Sequence, residues 1–331
     1  MKIKSTFLAV VTGSVFWLLQ ACAPSGGGSA QPQPSNPPLT TGTKPPQAAT
    51  VAIILNAHDE IRNWRSIASS SDGKKLVAAV QGGYIYTSTD SGENWSERNT
   101  TGVWASVASS ADGSKLVAAE LVGQIYTSTD SGITWTPRYE VRNWSAVASS
   151  ADGVKLVATE TGGNIYTSAD SGVSWVARDE ARSWMNVASS ADGVRLVAVA
   201  TALGQIYTST DSGVTWIARD SDKGWYSVAI SSDGNKLIAA DSTGQIYTSA
   251  DFGVSWRFVG FSGNGWTSVV SNTDGTMLFA LAEGGAIYTS TDSGVNWIIN
   301  TSGKNWTSVA SSADGTKIVA VADGDRIYTL N

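Results

Sequence analysis

Residues 124–135 read Gln124-Ile125-Tyr126-Thr127-Ser128-Thr129-Asp130-Ser131-Gly132-Ile133-Thr134-Trp135. A β-branched and aromatic run breaks at Asp-Ser-Gly and resumes at a tryptophan, which reads as a strand, a tight turn and the entry to a second strand. Working outward, Ser106–Ser109 and Lys115–Ala119 are two further β-prone runs divided by Ala111-Asp112-Gly113, and Thr134–Arg138 is a fourth. Trp64, Trp104, Trp144, Trp184, Trp225, Trp266 and Trp306 recur at intervals of 40, 40, 40, 41, 41 and 40 residues. Trp95, Trp135, Trp175, Trp216, Trp256 and Trp297 form a second series in phase with the first. Four short strands per period, without a 3.6-residue apolar rhythm, predict an all-β fold: a seven-bladed β-propeller of four-stranded antiparallel blades.

The last repeat reaches Ile327-Tyr328-Thr329 after three strands and stops at Asn331. Its missing strand is expected from the other end, at Val51–Leu55 and the few residues after it. That would close the ring and bury two free sheet edges.

The turn after the third strand reads Ser-x-Asp-x-Gly-x-x-Trp at 88–95, 128–135, 168–175, 209–216, 249–256 and 290–297. It resembles the Asp-box, the bacterial neuraminidase repeat of sialidase-like propellers. The resemblance implies that Asp90, Asp130, Asp170, Asp211, Asp251 and Asp292 serve the fold, on the face away from the usual ligand site. The ligand face would then be built by the loops from strand 4 to strand 1 and from strand 2 to strand 3. Candidate residues there are Arg62, Arg142 and Arg182, each two before a blade Trp, the acids Glu120, Glu160, Asp241, Glu283 and Asp323, and the seven Trp64, Trp104, Trp144, Trp184, Trp225, Trp266 and Trp306. A polar rim over aromatic rings suits a sugar or a protein partner. The same tryptophans also suit packing between blades, since both faces of a blade are buried. Arg98, Arg138, Arg178 and Arg219 recur three residues after the box Trp, where they would keep an outer edge soluble or meet an anionic partner.

Catalysis is not expected. The Arg-Ile-Pro segment of sialidases is absent, and Pro137 is the only proline after residue 46. Tyr84, Tyr86, Tyr126 and most other tyrosines fall at a strand-3 repeat position and read as core. Asp-box xyloglucanases usually need two propellers forming a cleft, and one is predicted here. Near-identity of the units also argues against the single asymmetric site that a reaction needs: Ile-Tyr-Thr-Ser-Thr-Asp-Ser-Gly occurs verbatim in four blades. The photosystem II assembly factors are a similar single-propeller case, which implies that a purely protein-binding role is open, although their strand pattern differs. A multivalent lectin and an exo-glycosidase are the rival readings.

Before the repeats, Lys2 and Lys4 precede an apolar stretch, Phe7–Leu19, too short for a bilayer span and placed as in a signal peptide. Leu19-Gln20-Ala21-Cys22 resembles the lipobox of bacterial lipoproteins. That resemblance implies cleavage after residue 21, a lipid on Cys22, which is the chain's one cysteine, and a membrane as partner. Ala23 in place of Asp implies the outer membrane where the cell has one. Residues 22–50 carry seven of the eight prolines and read as a Pro/Gly/Ser tether to the propeller at 51–331. The composition limits the chemistry further. One Cys and one His (His58) leave no disulfide framework and no Cys- or His-based metal centre. No metal or other cofactor is expected. The net charge of −6, with 22 basic residues, advertises no nucleic-acid partner. A monomeric propeller is expected.

Overall fold

The first three positions of the second strand are apolar in every repeat because the strand is covered on both sides. Leu116 and Ala118 join a cluster with Trp104 and the preceding repeat, whereas Val117 and Ala119 join Trp144 of the following one. The computed structural model describes residues 54–201, 204–219, 223–261 and 265–330. Leader, tether, Cys22 and Val51–Ile53 lie outside them.

Each repeat folds as a four-stranded antiparallel sheet with neighbours in chain order. In blade 2 the strands are the second part of Ser96–Ser109, then Leu116–Glu120, Ile125–Ser128 and Thr136–Pro137. The strands Ser96–Ser109 and Val176–Ser189 are long enough to serve two blades, outermost in one and innermost in the next. In blade 1, Leu76–Ser88 supplies two strands, pairing first with Trp64–Ser69 and then with Ser96–Ser109. Gly82, at φ 70°, turns the chain between its arms. Pro137 sits on an outer edge strand, where its missing N–H breaks no inner ladder.

Blade 7 takes its fourth strand from the N-terminal side, closing the ring as expected, but the strand is Leu55–Arg62. It pairs with Asp325–Leu330, with Leu55 opposite Leu330 and His58 opposite Ile327. The expected segment overlaps the start of this strand, at Leu55 and the few residues after it, and the pairing runs on further than expected. A register shift between His58 and Arg62, with Asp59 at φ 60°, carries the pairing on to Arg62 opposite Asp325. His58 Nε2 lies 2.9 Å from Thr329 Oγ1, a structural use of the one histidine.

Seven apolar clusters fill the seven junctions between blades. The innermost strands touch in sequence and meet again at blades 7 and 1. A circle of backbone hydrogen bonds follows the same path. The N–H of Ser71 donates to Ala111 C=O, Ala111 to Ala151, Ala151 to Ala191, Ala191 to Ser232, Ser232 to Thr273, Thr273 to Ala313, and Ala313 back to Ser71, all at 2.7–2.9 Å. A long basic side chain crosses most of these junctions as well. Lys75 lies over Gly113, where a Cβ would stand 2.8 Å from its own, and its Nζ reaches Ser131 Oγ at 3.3 Å. Lys317 closes the circuit by donating to Asp72 C=O at 2.9 Å.

The circle lies in the turns joining strands 1 and 2, which share a face with the Ser-x-Asp-x-Gly turns. In the latter, Ser128 Oγ accepts the N–H of Gly132 at 2.9 Å and donates to Asp130 Oδ1 at 2.8 Å. Asp130 then accepts the Thr134 N–H and hydroxyl, and the Trp135 indole donates to Gly132 C=O. Both Ser131 (φ 59°) and Gly132 (φ 83°) are left-handed, so the turn needs positive φ at a non-glycine position too. In the other turn, Ser110 donates to Asp112 and accepts the Lys115 N–H.

These bonds favour the ionised carboxylates. The Thr134 N–H, ahead of its hydroxyl, holds Asp130 down to about 2 from the ordinary 3.8. The Ser110 hydroxyl, then the Ser114 N–H, holds Asp112 lower still. Burial is the largest single influence at Asp211, Asp251 and Asp292 and pushes upward, yet the turn's hydrogen bonds together outweigh it. A folded pKa below the unfolded one adds stability that is complete above about pH 4 and is lost as pH falls towards 2. Acid titration followed by circular dichroism should therefore show a cooperative unfolding step in that window. Asp130→Asn should flatten the step, and an unchanged profile would remove these carboxylates from the account. Deleting the chain through Arg62 should lower the melting temperature and promote association through the bared edge of Asp325–Leu330. Equal melting of the two forms would show that closure contributes nothing.

Candidate functional site

On the opposite face, each blade tryptophan stands at the start of the innermost strand and meets the strand-3 tyrosine edge-on, or a close equivalent, with ring centroids 4.8–5.4 Å apart. All seven indoles are 0–4% exposed, so their faces are packed and not offered to solvent. A cation lies over five of these pairs. Arg62 sits 4.5 Å from the Tyr86 ring, Arg142 4.9 Å from Tyr166, Arg182 4.7 Å from Tyr207, Lys223 3.8 Å from Tyr247 and Lys304 4.6 Å from Tyr328. Lys223 and Lys304 escaped the sequence reading. Their sequence signal is a basic residue two before the blade Trp, which the pattern Glu-x-Arg does not include.

Carboxylates complete the stations of Arg62, Arg142, Arg182 and Lys304. Arg62 pairs with Glu60 at 3.1 Å and Asp59 at 3.8 Å, Arg142 with Glu140 at 2.9 Å and Glu160 at 3.5 Å, and Arg182 with Glu180 at 3.5 Å. Lys304 pairs with Asp325 at 2.9 Å and reaches the Tyr328 hydroxyl. Glu60, Glu140 and Glu180 are exposed; Glu160 is sheltered and also accepts the Tyr166 hydroxyl at 3.1 Å. Burial pushes the Tyr166 phenol up to about 12, with the Glu160 charge adding to it.

The acids at the shared repeat position do not behave alike. Glu120, Glu160 and Asp241 each stand opposite the blade Trp in the sheet register. Blade 2 carries Gly102 where five other blades carry Arg or Lys, and a Cβ at residue 102 would strike the Glu120 carboxylate. Glu120 accepts the Gln124 N–H. Asp241 is 1% exposed, and its Oδ1 accepts the N–H groups of Thr243 and Gln245 in its own turn. Glu283 and Asp323 are exposed loop acids. In blade 6, Phe261 meets Tyr288 edge-on, with centroids 4.9 Å apart. Tyr84 is a correction: it precedes the strand-3 core position and is 37% exposed, whereas Tyr86 is buried.

On the turn face, Arg98, Arg138, Arg178 and Arg219 each donate Nε to a strand-3 threonine, as Arg98 does to Thr87 at 2.8 Å, which ties the outer strand to its neighbour. Blade 5 has Val259 at that position, turned inward, and a groove of about 460 Å³ opens between blades 5 and 6. Among the described residues, no group of three His, Cys, Asp or Glu side chains is placed to hold a metal ion.

No family model and no curated protein matches the sequence. Among solved structures, the fold is similar to YCF48 from Cyanidioschyzon merolae, at 15% identity and TM-score 0.66, over 85% of this chain and 98% of that one. It is equally similar to a structure described as YCF48 bound to D1 peptide, at 15% identity and TM-score 0.67, over 87% and 99%. It is also similar to the GH74 xyloglucanase from Xanthomonas campestris, at 15% identity and TM-score 0.65, over 84% of this chain but 53% of the enzyme. At this identity the likeness establishes the β-propeller fold alone.

Removing one partner of a sheltered ion pair strands the other. Arg142→Gln should therefore destabilise the protein by about 1–3 kcal/mol, and Arg142→Gln with Glu160→Gln should recover much of that loss. Urea midpoints for the two singles and the double decide it. Strict additivity would mean that the pair is decorative.

Proposed function

We propose that the chain is a lipid-anchored, non-catalytic propeller of the cell envelope that binds a protein partner through its loop face. The observation carrying this reading is the array of cation–aromatic stations, three of which project an exposed glutamate (Glu60, Glu140, Glu180). Repeated, rigidly held acidic tips favour a basic protein surface that meets several at once. A glycan reading is weaker because stacking on sugars needs open aromatic faces, and the blade indoles are covered. The structure described as YCF48 bound to D1 peptide gives a precedent for peptide binding by this fold. Anchoring through Cys22 rests on the lipobox-like Leu19-Gln20-Ala21-Cys22.

Three measurements bear on it. Metabolic labelling with palmitate should mark the wild type and not Cys22→Ala, and the variant should leave the detergent phase. Label retained on Cys22→Ala would end the anchor assignment. Cross-linking in envelope extract should yield a discrete adduct that is lost when Glu60, Glu140 and Glu180 are all changed to Lys, with melting unchanged. Turnover of a fluorogenic glycoside, abolished by a single Glu→Gln change, would overturn the non-catalytic reading.

A further inference from the structure

The residue after each blade tryptophan lines a cavity of about 300 Å³ to which the innermost strands of all seven blades contribute, the central channel of the ring. Here the repeats differ most. Blade 1 carries Arg65, while blades 4 and 5 carry Met185 and Tyr226. The other four blades carry only Ala, Ser or Thr. In a closed ring of seven, the point opposite blade 1 is the junction of blades 4 and 5. The channel is therefore polarised: a guanidinium on one wall, a thioether and a phenol ring on the other.

Among the described residues no carboxylate lines this channel, and no hydrogen bond or ion pair engages the Arg65 guanidinium. That contrasts with Arg62, Arg142 and Arg182 on the loop face, which are all paired. The flanking hydroxyls suit the same charge. Ser66, Ser106 and Ser308, on blade 1 and its two neighbours, each accept a backbone N–H from the next blade, at 3.1–3.3 Å. Using the oxygen as acceptor leaves the hydroxyl proton to donate. A planar fork of N–H donors with O–H donors at its sides, and no competing acid, is a receptor for a planar oxyanion. The facing Met185 and Tyr226 favour an apolar or aromatic body on that anion.

We propose that the central channel binds a small organic carboxylate with an aromatic or branched apolar body, its carboxylate on Arg65 and its body against Met185 and Tyr226. The site is separate from the acidic loop tips and stands whether or not they bind a protein.

Calorimetric titration of the intact protein tests it, with phenylacetate, phenylacetamide, inorganic phosphate, and N-acetyl-Gly-Phe as a chain-terminus mimic, each into the millimolar range. Phenylacetate should bind saturably at one site, and phenylacetamide at least tenfold more weakly. Arg65→Gln should weaken phenylacetate by roughly ten- to hundredfold, as loss of a charged hydrogen-bond partner does. Tyr226→Ser should weaken it several-fold, with melting temperature confirming that both variants fold. Tighter binding of N-acetyl-Gly-Phe than of phenylacetate would assign the carboxylate to a peptide end and still support the site. The proposal fails if acid and amide bind alike, if phosphate binds as tightly as phenylacetate, if Arg65→Gln leaves affinity unchanged, or if none of the four binds.

Discussion

The fold depends on the circle of backbone hydrogen bonds that passes once through each blade, from Ser71 round to Ala313 and back. No single blade can bury both faces of its sheet, so each is stable only between two others. A closed array removes the exposed end faces that an open stack of such repeats would keep. The circle marks the innermost point of that closure, where seven short turns approach closely enough to bond. The apolar clusters farther out supply most of the driving force, since each buried tryptophan alone removes about 150–250 Å² from water. The hydrogen bonds fix the number and spacing of the units that share it.

Closure also explains where the molecule can vary. The second strand, packed on both sides, opens on Leu or Ile and keeps Ala at its third position in all seven blades, where a larger side chain would disturb a junction. The Ser-x-Asp-x-Gly turns repeat because their carboxylates are committed to their own backbone. Positions on the loop face and in the channel lie outside the second strand, and there Gly102, Phe261, Arg65, Met185 and Tyr226 break the pattern. Function in a near-symmetric ring is most readily sought at such breaks.

Much of this was legible in the sequence. The tryptophan interval, the two turn signatures and the truncated last repeat specify blades, their number and their closure. The exact closing strand was not, because a bulge at Asp59 lets pairing extend to Arg62, and the Trp interval carries no information on bulges. Tyr84 was misplaced for a similar reason: a register shift between Tyr84 and Ile85 leaves it before the buried run Ile85–Ser88. The cation stations were half visible, since Arg and Lys two before the Trp serve one role while a pattern search separates them. The channel was missed although its signal is simple, the one position after the Trp where charge and size change between repeats. Which residues face an axis is a property of the closed ring and not of any one repeat.

The most direct test of a closed circle is native-state amide exchange at Ser71, Ala111, Ala151, Ala191, Ser232, Thr273 and Ala313. Because each N–H bonds to the next blade, none can open without parting a junction, and the seven should exchange together at the free energy of global unfolding. Protection that differs from blade to blade, with some of these amides exchanging early while the rest stay closed, would contradict the account.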